Sequence, residues 1–385
     1  MATLALRVDV TPRLVEWAIQ RSGRGYDYLA GRFPKLANWL DRSEQPTLRQ
    51  LEAFAEATYT PIGYLFLREP PDEPLPLPDF RSIGDAEIAS ASANLLDTIY
   101  QCQIRQDWYR SWAAGQQAEN LPFVGSLTLS AAATDAAEII RRTLHFPVPA
   151  SRQYGSWTAA VTGLADALGD AGILVMINGV VGTNTTRTLD PNEFRGFTLA
   201  DPLAPLIFVN GADSKSAQMF TLVHEAGHVW LGASGVGDDQ PGPHGAAAIE
   251  RWCSALAAEL LVPIEDFRLA FNPHRPLAEE VAQAARRYRV SSLVILTRAF
   301  EADFLSWDRY QTAFNAEKSR LQQLPKQGSG GNFYSTLASR LGKRFLRAVV
   351  TNTQAGETLY SDAFRMLGIK EQRVFDEIPT RIKLS

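Results

Sequence analysis

The stretch "TLVHEAGHVWLG", residues 221–232, places two histidines four residues apart with a glutamate directly after the first. On an α-helix, residues four apart differ by about 40° around the axis and about 6 Å along it, so His224 and His228 can bind one ion. Glu225 lies about 100° around from His224, where it reaches a water on the metal rather than the metal. The spacing predicts a zinc site in which His224 and His228 are ligands and Glu225 is the general base of a hydrolytic reaction.

The alternative is an ordinary helix whose two histidines are only buried or solvated. Two small residues, Ala226 and Gly227, lie between the histidines. A glycine inside a helix costs about 1 kcal/mol relative to alanine and usually marks close packing of another backbone. We therefore expect a second helix or strand to press against Gly227, and this favours the metal site.

A catalytic zinc normally has three protein ligands and a water, so a third ligand must come from elsewhere in the chain. The metzincin extension requires glycine at 231 and histidine at 234, and Leu231 and Ser234 exclude that class. Glu250 and Glu259 lie about 180° apart on one predicted helix, so both cannot face the metal. The candidates for the third ligand are Glu250, Glu259, His244, Asp238 and Asp239.

Glu250 is followed on its predicted helix by the small residues Ser254 and Ala257, which would let that helix approach the zinc closely. The alternative for Glu250 is a solvated carboxylate that is favoured at a helix start by the helix dipole. Cys253 belongs to an apolar stripe and is expected to be a core residue rather than a ligand. Tyr288, His244 and several arginines are candidates for polarising the scissile carbonyl, and spacing selects none of them.

A small sheet is expected to position the histidine helix. Three segments have strand composition and are separated by turn residues, and the last of them leads into a helix that begins at Asp213 or Ser214 and ends at Gly232. These strands are predicted over 172–177, 194–199 and 205–210. Further helices are predicted over 156–169, over 246–261 and, around the turn "YRVSS", twice within 278–300.

The bulk composition indicates a multidomain globular protein of 385 residues. Its net charge of -4 gives no general attraction to nucleic acid or to an anionic membrane. Two cysteines form no disulfide framework, and neither a signal peptide nor an apolar run of about 18 residues is present, which favours the cytoplasm. Composition shifts, together with a flexible linker at 326–331, divide the chain at 1–70, 71–150, 151–276, 277–325 and 332–385.

The N-terminal residues are predicted to form four short helices over 12–21, 26–32, 35–42 and 47–58, the last with Thr47 as its N-cap. The region from 88 to 145 is predicted to be mostly helical. Arg32, Lys35 and Arg42 are candidates for phosphate contacts. Residues 1–70 hold nine Lys and Arg against eight Asp and Glu, which is unlike a dedicated DNA-binding domain. Sequence-specific DNA binding and a protein-docking or dimerisation role therefore stay open as alternatives.

Two consecutive stretches, "FRGFTLADPLAPLIFVNGADSKSAQMFTLVHEAGHVWLG" and "IERWCSALAAELLVP", resemble the ImmA/IrrE-type zinc metalloendopeptidases over roughly 155–265. In that family the glutamate that opens the second motif is the third zinc ligand, and it falls on Glu250. Ser254 and Leu256 stand where the family usually has Asn and Phe, which we interpret as a change in packing. The N-terminal stretch resembles an Xre-type helix-turn-helix module, although eight residues rather than about twelve separate Leu29-Ala30 from Trp39.

The resemblance implies a zinc-dependent endopeptidase of the gluzincin kind, with activity that can be latent. The tandem with a helix-turn-helix module, including "PDFRS" at 78–82 in the proline-rich linker that begins at residue 67, is similar to a larger subclass that often accompanies toxin genes or mobile elements. This implies a protein substrate such as a repressor or an antitoxin-like regulator. The rival hypothesis is a DNA-binding regulator or antitoxin whose zinc domain senses or binds a partner.

The expected fold class is α+β and predominantly helical. It combines a zincin-like core, whose small sheet packs on the HExxH helix, with an N-terminal helix-turn-helix bundle and a C-terminal helical domain.

Overall fold

The computed structural model describes residues 6–78, 91–237, 246–323 and 332–383. The chain divides into two compact units. The first consists of Met1–Pro76 and Ala89–Ile99, and the second of Leu77–Ile88 and Tyr100–Ser385. The residues from 332 onward, which the sequence predicts to be a small helical domain, belong to the second unit.

The first unit is built from short helices around an aromatic core. Phe54 packs edge-on against Trp39 and Phe33, with ring centroids 5.8 and 5.5 Å apart. Thr47 caps the fourth helix through a capping box with Gln50, which confirms the predicted N-cap. The helices are α1 (Pro12–Arg21), α2 (Tyr26–Arg32), α3 (Leu36–Leu40) and α4 (Leu48–Ala57), followed by a 3-10 helix (Ile62–Phe66).

Helix α3 is shorter than the predicted 35–42, because Arg42 takes a left-handed conformation with φ 61° and Asp41 already ends the helix. The proline-rich stretch after this unit's last helix has no regular structure through residue 78. Glu73 from that stretch pairs with Arg21 at 2.5 Å, so the segment is tied back to α1.

The second unit contains one sheet, one hairpin and most of the helices. Its helices are α5 (Ala93–Gly115, whose first residues lie in the first unit), α6 (Ala133–Leu144), a 3-10 helix (Ala150–Arg152), α7 (Trp157–Ala171), α8 (Lys215–Leu231), α9 (Ala246–Leu261), α10 (Ile264–Ala270), α11 (Leu277–Tyr288), α12 (Ser292–Glu301), α13 (Trp307–Gln322), α14 (Phe333–Leu341), α15 (Lys343–Gln354), α16 (Tyr360–Leu367) and α17 (Gln372–Ile382). Its strands are β1 (Leu174–Asn178), β2 (Val180–Val181), β3 (Asn184–Thr188), β4 (Gly196–Leu199), β5 (Leu206–Asn210) and β6 (Gly235–Gly237).

Four strands form a sheet in the order β1-β5-β4-β6, and β2 and β3 form a separate antiparallel hairpin. β1 and β5 are parallel, whereas β4 is antiparallel to both β5 and β6. The three predicted strands correspond to β1, β4 and β5. The hairpin and β6 are absent from the sequence-based prediction, since β3 is polar and β6 is only three residues long.

Both faces of the sheet are covered, which explains why β1 and β5 read as continuous apolar runs. Val175 and Ile177 face the same core as α7 and α8. On the other face, Gln106 of α5 donates to the carbonyls of Leu199 and Ala204 at 2.9 and 2.7 Å. The histidine helix α8 is therefore packed under a sheet that is itself covered by α5.

The connection between α11 and α12 has the layout predicted for "YRVSS", with Ser291 as the N-cap of α12. Arg289 occupies the left-handed position with φ 58°. Its guanidinium donates to the carbonyls of Tyr154 and Gly155 and lies 5.0 Å from the ring centre of Trp157. Arginine stands at this position because its side chain ties the turn to the 3-10 region before α7.

The segment after residue 332 is anchored along the edge strand β1. The hydroxyl of Ser339 donates to the carbonyl of Ile177 at 3.3 Å, and Lys343 pairs with Asp166 of α7 at 2.7 Å. Gly342, between α14 and α15, has φ 74°, and a Cβ there would lie 2.5 Å from the carbonyl oxygen of Val175. The linker predicted at 326–331 lies outside the described residues.

In the parts of the chain that the structure describes, no helix combines the length and apolar character needed to cross a bilayer.

Replacing Gly342 with alanine is expected to destabilise the second unit more than replacing Gly356. Both glycines have positive φ, which costs alanine about 1 kcal/mol, but only Gly342 would also drive its Cβ into the backbone of β1. We expect Gly342→Ala to lower the free energy of unfolding by about 2 kcal/mol more than Gly356→Ala, as measured by urea denaturation. Equal losses would mean that this segment does not depend on its contact with β1.

Candidate metal centre

Helix α8 carries the HExxH residues, and the part of it that holds them is enclosed by protein. Every residue from Thr221 to Trp230 is buried. The helix begins at Ser214, whose side chain accepts from the backbone N–H of Ala217, and ends at Gly232 in a left-handed conformation. A polar side chain in such a helix must find its partners inside the protein.

The segment before α6 closes the C-terminal end of α8. Gly125 and Leu127 donate backbone hydrogen bonds to the carbonyls of Val229 and Trp230, at 3.1 and 3.0 Å. The ring of Phe123 stacks on Trp230 with centroids 4.5 Å apart. These contacts satisfy carbonyl groups that a helix end otherwise leaves unpaired, and so they hold the helix turn that carries His228.

Helix α9 approaches α8 closely where the sequence predicts it. A Cβ on Gly227 would lie 3.0 Å from both Cys253 Sγ and Leu256 Cδ2. The expectation that a second element presses against Gly227 is confirmed. Cys253 and Leu256 are fully buried core residues, and Cys253 is not part of the ligand group.

The close approach of α9 brings Glu250 to the two histidines. His224 Nε2 lies 2.9 Å from Glu250 Oε2 and 3.3 Å from His228 Nε2, and His228 Nε2 lies 3.2 Å from Glu250 Oε1. All three residues are buried, and their ligand atoms lie within 4.8 Å of one another. Of the two candidates for the third ligand that the structure describes, Glu250 and Glu259, Glu250 lies beside the histidines.

These distances fit a tetrahedral zinc. Bonds of about 2.0–2.1 Å require neighbouring ligand atoms to be about 3.3–3.4 Å apart, close to the spacing of the two histidine nitrogens. Glu250 Oε1 is buried and accepts no hydrogen bond from the residues that the structure describes. A cation between the three side chains would satisfy this oxygen, which otherwise carries a desolvation cost.

The charge state of Glu250 also suits a ligand. Burial acts to raise the pKa of its carboxyl group, but the nearby imidazoles of His224 and then His228 outweigh burial and lower the pKa to about 2. The carboxylate is therefore ionised at neutral pH and offers oxygen lone pairs to a metal.

Ser254 lies behind His224, at a position where the sequence predicts only a change in packing. Its Oγ is 3.4 Å from His224 Nδ1, the ring nitrogen that faces away from Glu250. A partner at Nδ1 fixes the ring orientation and leaves Nε2 to bind the metal. Ser254 thus supports the ligand geometry, which its position one turn after Glu250 on α9 could have indicated.

The carboxylate of Glu225 turns toward strand β4 rather than toward Glu250. The hydroxyl of Thr198 donates to Glu225 Oε2 at 2.7 Å and also lies 3.0 Å from the Glu225 carbonyl oxygen. A Cβ on Gly196 would lie only 2.7 Å from Glu225 Oε1. Neither residue is predicted from the sequence, although the alternation of small and aromatic residues in "GFTL" puts Gly196 and Thr198 on one face of the strand.

Glu259, a candidate for the third metal ligand, forms an ion pair elsewhere in the structure. Its carboxylate pairs with the buried Arg298 and accepts from the backbone N–H of Ile264 at 3.3 Å, at the start of α10. Arg298 also donates to the carbonyl of Val262 at 2.9 Å. Glu259 therefore fixes the junction of α9, α10 and α12. Asp238, Asp239 and His244 lie outside the described residues.

Tyr288 is buried, and its hydroxyl donates to Asp266 Oδ2 at 2.6 Å. Burial and this acceptor both raise the pKa of the phenol. Its hydroxyl is therefore engaged by α10, which makes Tyr288 a poor candidate for polarising a substrate carbonyl.

The three nucleic-acid candidates lie in the first unit. Arg32 and Arg42 are exposed, and the Lys35 amine pairs with Glu44 at 2.6 Å. Hydrogen bonds from Lys35 and Arg7 lower the pKa of Glu44 to about 2, so it keeps its negative charge and offsets part of the local positive charge. The three residues do not lie on one helix: Arg32 is the last residue of α2, Lys35 precedes α3, and Arg42 follows α3.

Comparison with known proteins agrees with the character of the site. Residues 169–300 match the family Peptidase_M78, described as the IrrE N-terminal-like domain, whose members are metallopeptidases. Residues 341–380 match a domain of unknown function, DUF8813. A search of curated proteins found no match. The region 169–300 is therefore metallopeptidase-like, which supports the resemblance drawn from the sequence, and neither match extends into the N-terminal unit.

Replacing Glu250 with alanine is expected to abolish tight metal binding, whereas Glu259→Gln should bind metal as the wild type does. Glu250 supplies one of the three clustered ligands, and Glu259 pairs with Arg298 instead. Metal content is measured by mass spectrometry on proteins purified identically and supplied with zinc, with circular dichroism as the folding control. Loss of metal in Glu259→Gln but not in Glu250→Ala would contradict this assignment.

Proposed function

We propose that the second unit is a zinc-dependent endopeptidase in which His224, His228 and Glu250 hold the ion and Glu225 is the general base. The observation that carries the proposal is the buried cluster formed by the Nε2 atoms of His224 and His228 and the carboxylate of Glu250, spaced 2.9–3.3 Å apart. The second carboxylate, that of Glu225, lies on the same helix as the two histidines. The metallopeptidase-like match over 169–300 supports it.

The residues of the cluster and those around it have different roles in peptide hydrolysis. His224, His228 and Glu250 would hold a zinc ion, which would supply Lewis-acid chemistry toward a substrate carbonyl and water. Two neutral imidazole nitrogens and one carboxylate would leave such a site with a net positive charge that favours a developing oxyanion. Ser254 holds the His224 ring through Nδ1.

Glu225 moves the proton. Thr198 donates to Oε2, so the proton of the attacking water would pass to Oε1. The water oxygen bonds to the carbonyl carbon, and the same proton then passes from Oε1 to the leaving amine nitrogen as the C–N bond breaks. Gly196 matters in this scheme because any side chain there would displace Oε1.

The proposed substrate is a specific protein, such as a repressor or an antitoxin-like regulator, cleaved as part of transcriptional or stress control. The resemblance of the tandem arrangement to the larger regulatory subclass supports this class of target. We also propose that the N-terminal unit binds a partner. This partner is DNA, contacted through Arg32, Lys35 and Arg42, or else another protein or a second copy of the chain.

The proposal predicts cleavage products that depend on Glu225. Cells that produce the wild type should contain new protein N-termini that are absent from cells producing Glu225→Gln, because the amide cannot accept the proton. Mass spectrometry of labelled N-termini detects these products whichever protein is cleaved. Glu265→Gln is the control, since Glu265 is an exposed carboxylate on α10.

Identical sets of N-termini in the wild type and Glu225→Gln, with zinc bound to both proteins, would contradict a peptidase. Activity in a regulator assay that is unaffected by Glu225→Gln would then favour the rival hypothesis of a DNA-binding regulator or antitoxin.

Thr198 is expected to be a positioning residue for the base. Thr198→Val removes the hydrogen bond to Glu225 Oε2, which should lower kcat by about 10- to 100-fold on a peptide spanning the identified cleavage site. A carboxylate without this donor has a higher pKa, so the acidic limb of the kcat/KM profile should move to higher pH.

Thr198→Ser should restore both kcat and the pH profile, and the zinc content should be unchanged in both variants. A pH profile of Thr198→Val that overlays the wild type would show that Thr198 contributes only to packing.

A further inference from the structure

The residues of the candidate metal centre are closed off from solvent. His224, Glu225, His228 and Glu250 are each 3% exposed or less. Thr198, which donates to Glu225, is fully buried as well. Hydrolysis requires the scissile carbonyl to lie beside the base, directly or through one water, which means within roughly 6 Å of its carboxylate. A protein segment cannot come that close to buried groups, so the described conformation is a closed state of the site.

The carboxylate of Glu225 lies against strand β4. Thr198 donates to Glu225 Oε2 at 2.7 Å, and a Cβ on Gly196 would lie 2.7 Å from Glu225 Oε1. Strand β5 pairs with one edge of β4, so only the opposite edge can accept another strand. A strand on that edge lies about 4.8 Å from β4 and so comes within reach of the base beside Gly196.

Strand β6 of the same chain occupies that edge. It runs antiparallel to β4, and its two glycines, Gly235 and Gly237, lie opposite Thr198 and Gly196, the two β4 residues beside the base. Just before β6, the hydroxyl oxygen of Ser234 accepts from the first backbone N–H after β4 at 2.8 Å. The edge of β4 beside the base is therefore already used by the chain itself.

Strand β6 is a weak strand. It has three residues, and two of them are glycines, which lose more conformational entropy in a strand than other residues and add no side chain to its packing. Strands β1 and β5 have five residues each, and at least four of these are buried. Since β6 ends the sheet order, its removal leaves the β1-β5-β4 pairing in place. Detachment of β6 therefore costs much less free energy than unfolding of the sheet.

A substrate segment that paired with the outer edge of β6 would lie too far from the base. It would be two interstrand spacings, about 10 Å, from β4. This exceeds the roughly 6 Å within which the base can act through one water. An extended segment that pairs with β4 itself comes one spacing closer and gains backbone hydrogen bonds to that strand. The substrate and β6 therefore compete for the same edge.

We propose that β6 is an autoinhibitory strand, and that the substrate is an extended protein segment that displaces β6 from β4. This inference rests on the proposed peptidase function. It adds that the resting protein is closed by its own chain, and that a segment held in a helix is not a substrate until it unfolds. Because only molecules with β6 detached bind the substrate, the apparent Kd equals the intrinsic Kd divided by the detached fraction.

The test is calorimetric binding of an alanine tripeptide that ends in a metal-chelating hydroxamate to the full-length protein loaded with zinc. Proline has no N–H, and successive N–H groups of a strand point to opposite edges, so one of Gly235→Pro and Val236→Pro removes a hydrogen bond to β4. That variant should bind the tripeptide hydroxamate at least ~10-fold more tightly than the wild type. The other variant keeps the pairing and is the matched control, and its affinity should stay within about twofold of the wild type.

Ser234→Ala is a milder variant that tests the same edge if a proline variant fails to fold. It removes the acceptor for the Ala200 N–H and should tighten binding of the hydroxamate about threefold. Ser111→Ala, at an exposed serine of α5, should leave binding unchanged. Hydrogen exchange of the wild type should be faster at Ala200 and at 235–237 than in β1 and β5, because β6 detaches without unfolding of the sheet.

Equal hydroxamate binding by the wild type and by all the β6 and Ser234 variants would overturn the proposal. So would weaker binding by variants that still hold zinc, because β6 would then help to bind the substrate. Exchange of the Ala200 amide only at the rate of β1 and β5 would also overturn it. None of these readouts requires hydrolysis. The absence of N-termini that depend on Glu225 would contradict the peptidase function without altering them, so the two failures are distinguishable.

Discussion

The close packing of α8 against α9 is the contact on which the candidate metal centre depends. It is permitted by Gly227, because any side chain there would meet Cys253 and Leu256 at 3.0 Å. At this separation Glu250 reaches both histidines. The glycine that weakens the helix locally therefore lets α9 pack here without a shift of Cys253 or Leu256, and the surrounding apolar contacts offset its cost.

The polar residues of the site are buried, so their partners must lie inside the protein. His224, Glu225, His228 and Glu250 are all less than 4% exposed, so each must be satisfied by protein or by an ion. Ser254 and Thr198 provide part of this satisfaction from two different elements, α9 and β4. The arrangement separates two carboxylates in space: Glu250 lies against the two histidine Nε2 atoms, and Glu225 is hydrogen-bonded to strand β4.

The second unit extends well beyond the metallopeptidase-like region. The segment around Gly125 closes the end of α8, and the helices after residue 332 lie along the edge strand β1. An exposed edge strand invites unwanted pairing, and α14 covers β1 at this position.

The sequence by itself determined the local features. The placement of His224, Glu225 and His228 follows from the helical repeat, the cap at Thr47 follows from its hydroxyl, and three of the four sheet strands follow from their apolar composition. The sequence left Asp213 and Ser214 open as the cap of α8, and the structure shows Ser214. Only the tertiary structure shows that Glu250, and not Glu259, lies beside the histidines, because that depends on which face of α9 meets α8. It also revealed the contacts of Thr198 and Ser254, since contacts between residues far apart in the chain leave no periodic pattern in the sequence.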